Sequence, residues 1–255
     1  MSDLLIEREG AVAIVIFNQP ARRNAMTLAM LRDLAAGLRG FEEEEGLLAV
    51  ILTGAGTQAF GAGLDIREAA TLSQEEHAEQ HRLYEECQRR LAAFPRPLIA
   101  AIEGVAAGGS LQMALHCDLL VVAEGARIGM PELSAGRPCI LGSFLLMQRL
   151  GAGAAARLVL GQDWLTAQEA AACGLATRVV AAGEALEAAR SYAQKLAGTA
   201  PAALRATLDW LRQLRVRPGA TLDDAMRHAE QVLPALATSQ EALAAGARLA
   251  ERGHA

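Results

Sequence analysis

The segment Gly108-Gly109-Ser110 is the part of this sequence best suited to binding a negative charge. It follows the apolar, strand-like run 98–102 and precedes an amphipathic helix predicted to begin near Leu111. The first N–H groups of a helix have no intrahelical partner, the helix dipole adds positive charge there, and glycine lets a ligand approach the backbone. The pattern predicts an anion or oxyanion site; the alternative is a tight strand-to-helix turn without a chemical role.

A second glycine-rich turn, Gly61-Ala62-Gly63-Leu64, follows Phe60 and offers another set of backbone N–H groups. If the two turns face one another, the N–H groups of Leu64 and Gly109 can bind a single carbonyl oxygen. Such a pair of donors stabilises the charge that develops on an enolate or on a tetrahedral intermediate.

Two side chains near these turns are suited to acid–base work or to holding a ligand. Glu132 follows Pro131, which fixes the backbone, although a lone glutamate on a loop is more often solvated and idle. Gln112 lies three residues after Gly109, about 300° around a helix, and therefore on nearly the same face. An amide can hydrogen-bond water or a carbonyl, but it cannot transfer a proton.

The elements predicted around these residues alternate between strands and helices. A hairpin is expected over residues 4–18, Thr27 is predicted to cap a helix, residues 47–53 to form a buried strand and residues 74–93 a helix. This alternation indicates an α/β core. From about Gly183 the pattern is helical throughout, over residues 184–197, 201–214, 222–232 and 240–251.

Composition and charge exclude several functions. The 255 residues are 52% hydrophobic with a net charge of −5, which gives no electrostatic surface for nucleic acid. Four widely spaced cysteines predict a reduced, cytoplasmic compartment, and no apolar run approaches the roughly 18 residues of a membrane span. No spacing resembles a set of metal ligands. We therefore expect a cytoplasmic protein without a nucleic-acid, membrane or metal partner.

Several motifs, in their order and spacing along nearly the whole chain, resemble the crotonase superfamily, the enoyl-CoA hydratase/isomerase family. Each motif is weak alone, and together they are specific. They are Asn18-Gln19-Pro20-Ala21-Arg22-Arg23-Asn24-Ala25, Leu52-Thr53-Gly54-Ala55-Gly56, Phe60-Gly61-Ala62-Gly63-Leu64-Asp65-Ile66, Gly104-Val105-Ala106-Ala107-Gly108-Gly109, Cys117-Asp118 and Pro131-Glu132-Leu133.

The resemblance implies a crotonase-like spiral of ββα units over residues 1–197 and a C-terminal α-helical trimerisation region over residues 198–255. It implies a homotrimer or homohexamer that acts on an acyl-CoA thioester, with no cofactor because CoA is part of the substrate. The thioester oxygen would be held by the N–H groups of Leu64 and Gly109. The substrate and CoA contacts would fall at Arg22, Arg23, Ala62, Asp65, Ile66, Gly108 and Arg252, although Asp65 could instead brace the Leu64 turn.

The chain departs from the pattern of family hydratases, which resemble two-glutamate enzymes. Glu132 matches the second glutamate, whereas Gln112 stands in place of the first. One glutamate suits the transfer of one proton, so we expect Glu132 to be the general acid/base of a double-bond isomerisation. The alternatives are a hydratase with weakened or atypical hydration, and a family member that binds acyl-CoA without turnover.

Two further features allow more than one interpretation. Ser110 at a helix start suits a hydrolase nucleophile, but the nearest histidine, His116, points about 240° away around the helix, so a base is missing. The bulky segment 135–144 is expected to pack a helix beneath the acyl pocket, with reshaping of that pocket as the alternative. Arg137 is expected to be an exposed arginine, with contact to a charged acyl group as the alternative.

Overall fold

A computed structural model describes residues 2–217, 221–237, 240 and 244 of the chain. The chain divides into two compact units, residues 1–193 and 194–255. In the first unit, strands β1 (Leu4–Glu9) and β2 (Val12–Phe17) form the predicted hairpin, in which Leu4 lies opposite Phe17.

The larger of the two sheets has six strands in the order β1-β2-β3-β5-β7-β10. Beyond the antiparallel hairpin, every neighbouring pair is parallel, as expected for strands joined by crossover connections. The additional strands are β3 (Ala49–Gly54), β5 (Leu98–Ile102), β7 (Leu119–Ala123) and β10 (Arg178–Val180).

A second sheet of four short strands has the order β4-β6-β8-β9. The sequence did not predict it, because three-residue strands show no measurable alternation of apolar and polar residues. Two of its strands, β4 and β6, lead directly into the two glycine turns. Its strands are β4 (Ala59–Gly61), β6 (Val105–Ala107), β8 (Arg127–Gly129) and β9 (Trp164–Thr166).

Nine α-helices are found in the described residues, and Thr27 caps the first of them as predicted by accepting a hydrogen bond from the Met30 N–H at 3.1 Å. The fourth helix begins at Gly108, three residues before the predicted start near Leu111. The helices are α1 (Leu28–Glu43), α2 (Ile66–Ala69), α3 (Gln74–Ala92), α4 (Gly108–His116), α5 (Ile140–Val159), α6 (Ala167–Ala172), α7 (Ala185–Leu196), α8 (Pro201–Val216) and α9 (Leu222–Ala237).

The core lies on both faces of the large sheet, because successive strand residues point to opposite sides. Val50 and Leu52 of β3 belong to the larger apolar cluster, which includes residues of α1, α3 and α4. Ile51 between them points the other way and packs in a cluster with Ala185 and Ala189 of α7. A mostly parallel sheet with helices packed on both faces confirms the α/β fold class.

The second unit is helical over its described residues, as the sequence predicted for this part of the chain. Within it, the Trp210 ring of α8 stacks on the His228 ring of α9, with centroids 4.4 Å apart and planes inclined by 14°. The helix predicted over residues 240–251 falls almost entirely outside the described residues, and the assignment of this region to oligomerisation stays a prediction. Among the described helices, none has the length and apolar character needed to cross a membrane.

Candidate active site

A cavity of about 510 Å³ lies between the two glycine turns, α3, and the Pro131–Glu132 loop. A neighbouring cavity of about 450 Å³ is lined by residues 21–23 and by the turn that leads into α2. The two share Ala62, Leu64 and Ile66 in their walls, so this turn separates them. We call them the catalytic cavity and the arginine cavity.

One wall of the catalytic cavity is backbone. Gly63 and Gly108 both have positive φ, +92° and +50°, which glycine adopts without strain. A Cβ atom on Gly63 would lie 3.2 Å from the Gly109 nitrogen, so the two predicted turns do meet. Within the described chain, neither the Leu64 N–H nor the Gly109 N–H donates a hydrogen bond to the protein. Two uncommitted donors therefore line the cavity.

The two turns are fixed to each other by Ser110 and Met26. The Gly63 N–H donates to Ser110 Oγ at 3.0 Å, and the Met26 N–H donates to the Gly63 carbonyl at 2.7 Å. A Cβ on Gly61 would lie only 2.4 Å from Ser110 Oγ, so the close approach requires glycine. Because Ser110 is fully buried, its hydroxyl joins the turns and is not presented to a ligand.

A second wall of the cavity carries side chains in a hydrogen-bonded chain. Tyr84 Oη donates to Gln112 Oε1 at 2.6 Å, and Gln112 Nε2 donates to Glu132 Oε1 at 2.8 Å. The second carboxylate oxygen, Glu132 Oε2, is buried and has no hydrogen-bond partner. The tyrosine thus fixes which end of the amide faces the carboxylate, and one carboxylate oxygen remains uncommitted.

Three elements bring this chain together. Tyr84 lies on α3 and Gln112 on α4, while Glu132 follows β8 and precedes a single 3₁₀ turn, Leu133–Ala135. Burial and the nearby Glu132 carboxylate raise the pKa of the Tyr84 phenol, so at neutral pH it is a hydrogen-bond donor. Burial, followed by the same carboxylate, raises the pKa of the adjacent Cys139 thiol to about 11, which keeps that group neutral.

The chain is similar in sequence to proteins of a known family. The profile of the enoyl-CoA hydratase/isomerase family matches residues 7–252. The chain is 34% identical over 206 residues to the short-chain-enoyl-CoA hydratase of Clostridium acetobutylicum, covering 80% of this chain and 79% of that protein. It is 35% identical over 214 residues to the 2,3-dehydroadipyl-CoA hydratase of Escherichia coli, covering 84% and 83%.

The fold is also similar to that of a solved structure. The crystal structure of enoyl-CoA hydratase from Bacillus anthracis matches with a TM-score of 0.88 and 27% identity, over 98% of this chain and 96% of that one. The chain belongs to the enoyl-CoA hydratase/isomerase family. Membership of this family, the crotonase superfamily, confirms the resemblance drawn from the motifs and makes the chain an enzyme that acts on CoA thioesters.

The structure of this enoyl-CoA hydratase/isomerase family member brings most of the predicted site residues together. The catalytic cavity is lined by Ala62, Leu64, Ile66, Gly108, Gly109, Gln112 and Glu132. The arginine cavity is lined by Arg22, Arg23 and Asp65, again with Ala62, Leu64 and Ile66. Arg252 lies outside the described residues. Among the described residues, no group of three His, Cys, Asp or Glu side chains is placed to hold a metal ion.

Asp65 has a structural task in the arginine cavity. Its carboxylate accepts hydrogen bonds from the Arg67 and Glu68 N–H groups and an ion pair from Arg22 at 3.0 Å. Burial opposes ionisation of this carboxyl, but the Glu68 N–H, the Arg22 guanidinium and the Arg67 N–H outweigh it and lower its pKa. Asp65 therefore caps α2 and braces the turn that carries the Leu64 N–H.

The expectation for segment 135–144 was wrong. Instead of packing beneath the pocket, Ala135, Arg137, Pro138 and Leu141 line the catalytic cavity, and Ile140 lines it while remaining 74% exposed. The cause is local: Gly136 ends the 3₁₀ turn in a left-handed conformation, so the chain crosses the cavity as a loop before α5 begins at Ile140. The segment therefore contributes to the cavity, as the alternative predicted; that this cavity holds an acyl chain stays a prediction.

Sequence reasoning also missed Tyr84 and the wall that α3 contributes. Four polar residues of α3, at positions 77, 80, 81 and 84, line the catalytic cavity. Their i, i+3, i+4, i+7 spacing places them on one helix face. That spacing was a usable signal, although in a helix with many polar residues it does not stand out.

Proposed function

We propose that this enzyme isomerises the double bond of an enoyl-CoA thioester, with Glu132 as the sole general acid/base. One observation carries the proposal. Among the described residues that line the catalytic cavity, Glu132 is the only carboxylate, and the amide of Gln112 lies 2.8 Å from it. One carboxylate can accept a proton from one carbon and return it to another, which is the whole proton balance of an isomerisation.

The two cavity walls divide the chemistry between them. The thioester oxygen accepts hydrogen bonds from the Leu64 and Gly109 N–H groups, which stabilise it most as it gains charge. The Glu132 carboxylate takes the proton from C2 of a 3-enoyl chain, and the electrons of that C–H bond form a dienolate. The Glu132 carboxylic acid, whose proton can exchange with solvent, then delivers a proton to C4, the double bond moves to C2–C3, and the carboxylate is regenerated.

Gln112 and Tyr84 act in this proposal as positioning residues. The Tyr84 O–H fixes the amide, and the amide N–H holds Oε1 of Glu132, so that the carboxylate keeps one orientation. Neither group exchanges a proton with substrate in the reaction. Their task is to hold one carboxylate oxygen at a constant position through both proton transfers.

Substrate binding uses both cavities. CoA would enter along the arginine cavity, where Arg22 and Arg23 offer donors suited to its phosphates. Because CoA arrives as part of the substrate, we propose that no separate cofactor is needed. We also propose a homotrimer or homohexamer that works in the cytoplasm.

A second candidate is hydration of a 2-enoyl-CoA. It is favoured by the names of the two relatives, both hydratases, and by the ability of the Gln112 amide to orient a water. The two relatives are named for different acyl chains, so their names leave the acyl group of this enzyme open. A third candidate is binding without turnover.

The deciding experiment presents crotonyl-CoA and 3-hexenoyl-CoA separately in D₂O, with products identified by NMR and mass spectrometry. The proposal expects 2-hexenoyl-CoA with deuterium at C2 or C4, and at most slow hydration of crotonyl-CoA. Efficient formation of 3-hydroxybutyryl-CoA with 3-hexenoyl-CoA unchanged would establish the hydratase. Saturable binding of both thioesters with no product and no deuterium uptake would establish the non-catalytic member.

A further inference from the structure

We infer that the catalytic cavity takes an acyl chain that ends in a second carboxylate. The inference rests on the proposed function, because it names the class of acyl group for the same site. It depends on a set of N–H donors in the cavity wall, away from Glu132, that have no acceptor among the residues that the structure describes.

The donors lie along α3 and on the loop after Glu132. His77, Gln80 and His81 line the cavity on the same face of α3 as Tyr84, and Arg137 lines it from the loop. Tyr84 is the residue of this helix face that lies nearest to Glu132 along the hydrogen-bonded chain, because it donates to Gln112. Since a helix rises 1.5 Å per residue, the wall extends about 10 Å from Tyr84 to His77. An acyl chain bound at Glu132 thus has room to bring its far end to these donors.

Arg137 has no anionic partner in the part of the chain that the structure describes, and neither imidazole forms an ion pair there. This contrasts with the outer arginines of α3: Arg82, Arg89 and Arg90 each pair with a glutamate. Arg137 is always charged, and each imidazole offers at least one N–H in either protonation state. An anion is the missing partner.

Gln80 supplies the second, independent observation. Its side chain is 2% exposed, it lies on the cavity wall, and its Nε2 has no hydrogen-bond partner. A buried donor without an acceptor costs free energy that a bound oxygen recovers. A carboxylate accepts several hydrogen bonds at once and suits an amide, imidazoles and a guanidinium together.

The remainder of this wall is apolar and suits methylene groups. Ala69, Ala135, Pro138, Ile140 and Leu141 lie between and around the donors. The phosphates of CoA are not the anion in question, because the arginine cavity has its own cations in Arg22, Arg23 and Arg67. An apolar chain with an anionic end is the ligand that satisfies both kinds of surface.

The test compares two pairs of thioesters matched in length. One pair is 2- and 3-hexenoyl-CoA; the other carries a carboxylate in place of the terminal methyl group. For the wild-type enzyme we expect kcat/KM to be at least about tenfold higher with the carboxylate-terminated pair, since a hydrogen bond to a charged group is worth that much. Arg137→Gln should remove most of this preference, whereas Arg89→Gln, on the outer face of α3, should retain it.

Gln80→Met separates ligand binding from folding. Because the Gln80 donor is unpartnered without ligand, we expect the variant to unfold at the same or a higher urea concentration, while KM for the carboxylate-terminated substrate rises severalfold and KM for the methyl-terminated one does not. A structural role alone would lower stability and affect both substrates.

The outcomes distinguish this inference from the proposed function. Turnover of the methyl-terminated pair without a preference for the carboxylate overturns the inference and leaves the proposed function standing. An equal loss with both pairs in Arg137→Gln also overturns it, since Arg137 would then contact CoA. No product and no deuterium uptake from any of the four thioesters overturns the proposed function.

Discussion

The two walls of the catalytic cavity are built in different ways. On one wall the Leu64 and Gly109 N–H groups belong to the backbone, and the glycines around them are required by close contacts and positive φ. On the other wall Tyr84, Gln112 and Glu132 act through side chains joined by hydrogen bonds. In the proposed mechanism the backbone wall determines which bond of a substrate is polarised, and the side-chain wall determines which proton transfers follow. Reaction type can therefore change without disturbing the first wall.

The largest expected effect is on the side-chain wall. Glu132→Gln removes the only carboxylate among the described residues that line the cavity while keeping the shape of the side chain, and we expect kcat to fall about 10³-fold because the proposed acid/base is lost. Isothermal titration with a thioester should show affinity within a few-fold of the wild type. Glu124→Gln, on an exposed loop, is the matched control; similar losses in the two variants would disprove the assignment.

The backbone wall can be damaged without touching any catalytic side chain. Gly63→Ala places a Cβ 3.2 Å from the Gly109 nitrogen, so we expect kcat to fall about 10²-fold as the donor pair is displaced. Positive φ adds a folding cost of about 1–3 kcal/mol. Gly56→Ala is the control, since it has φ of +75° and no atom near its Cβ. If both variants lose stability and neither loses kcat, the backbone wall has no catalytic role.

Replacing the amide nitrogen of Gln112 by oxygen should change the reaction that the enzyme catalyses. Gln112→Glu restores a second carboxylate 2.8 Å from the first, and we expect hydration of crotonyl-CoA to rise about tenfold as two groups share the proton transfers. The assay is the yield of 3-hydroxybutyryl-CoA, with urea unfolding measured alongside. A folded variant with no gain in hydration would contradict the placement of Gln112 at the reacting carbons.

A smaller loss of kcat is expected when the hydrogen bond that orients the Gln112 amide is removed. Tyr84→Phe removes the donor to Gln112 Oε1, and we expect kcat to fall about fivefold with KM unchanged, the value of one neutral hydrogen bond. Tyr192→Phe, on α7, should leave both constants as they are. A rise in KM at constant kcat would mean that Tyr84 contacts the substrate and does not position Glu132.

The smallest expected effect is a loss of stability at Asp65, which braces the turn that carries the Leu64 N–H. The lowered pKa of Asp65 means that its carboxylate stabilises the folded state above the unfolded value of about 4, and that this contribution disappears as the pH falls through the folded value. Asp65→Asn should be about 1 kcal/mol less stable than the wild type at pH 7, and the difference should narrow in acid. A gap that stays constant between pH 7 and pH 3 would contradict this role.

The sequence predicted what is local or strongly periodic. The long apolar runs predicted the hairpin, β3 and β5 of the large sheet but not β10, and Thr27 predicted the start of α1. The glycine turns, Gln112 and Glu132 were predicted as a site because each residue type has a distinct capacity for chemistry. The position of Tyr84 was not predictable in this way, because its contact with Gln112 joins residues 28 apart in sequence and depends on how α3 packs on α4. The segment 135–144 was mispredicted because apolar residues that line a cavity resemble core residues in sequence.

The contact between Gly61 and Ser110 couples two positions that lie far apart in the chain. With serine at 110 there is no room for a side chain at 61, since even a Cβ would lie 2.4 Å from the hydroxyl oxygen. Only glycine at 110 would release that restriction, because the Ser110 Cβ would also lie 2.6 Å from the added Cβ, and it would at the same time remove the acceptor for the Gly63 N–H. Related sequences should therefore vary at these two positions together, and a double-mutant cycle of Gly61→Ala and Ser110→Gly should show strong non-additivity.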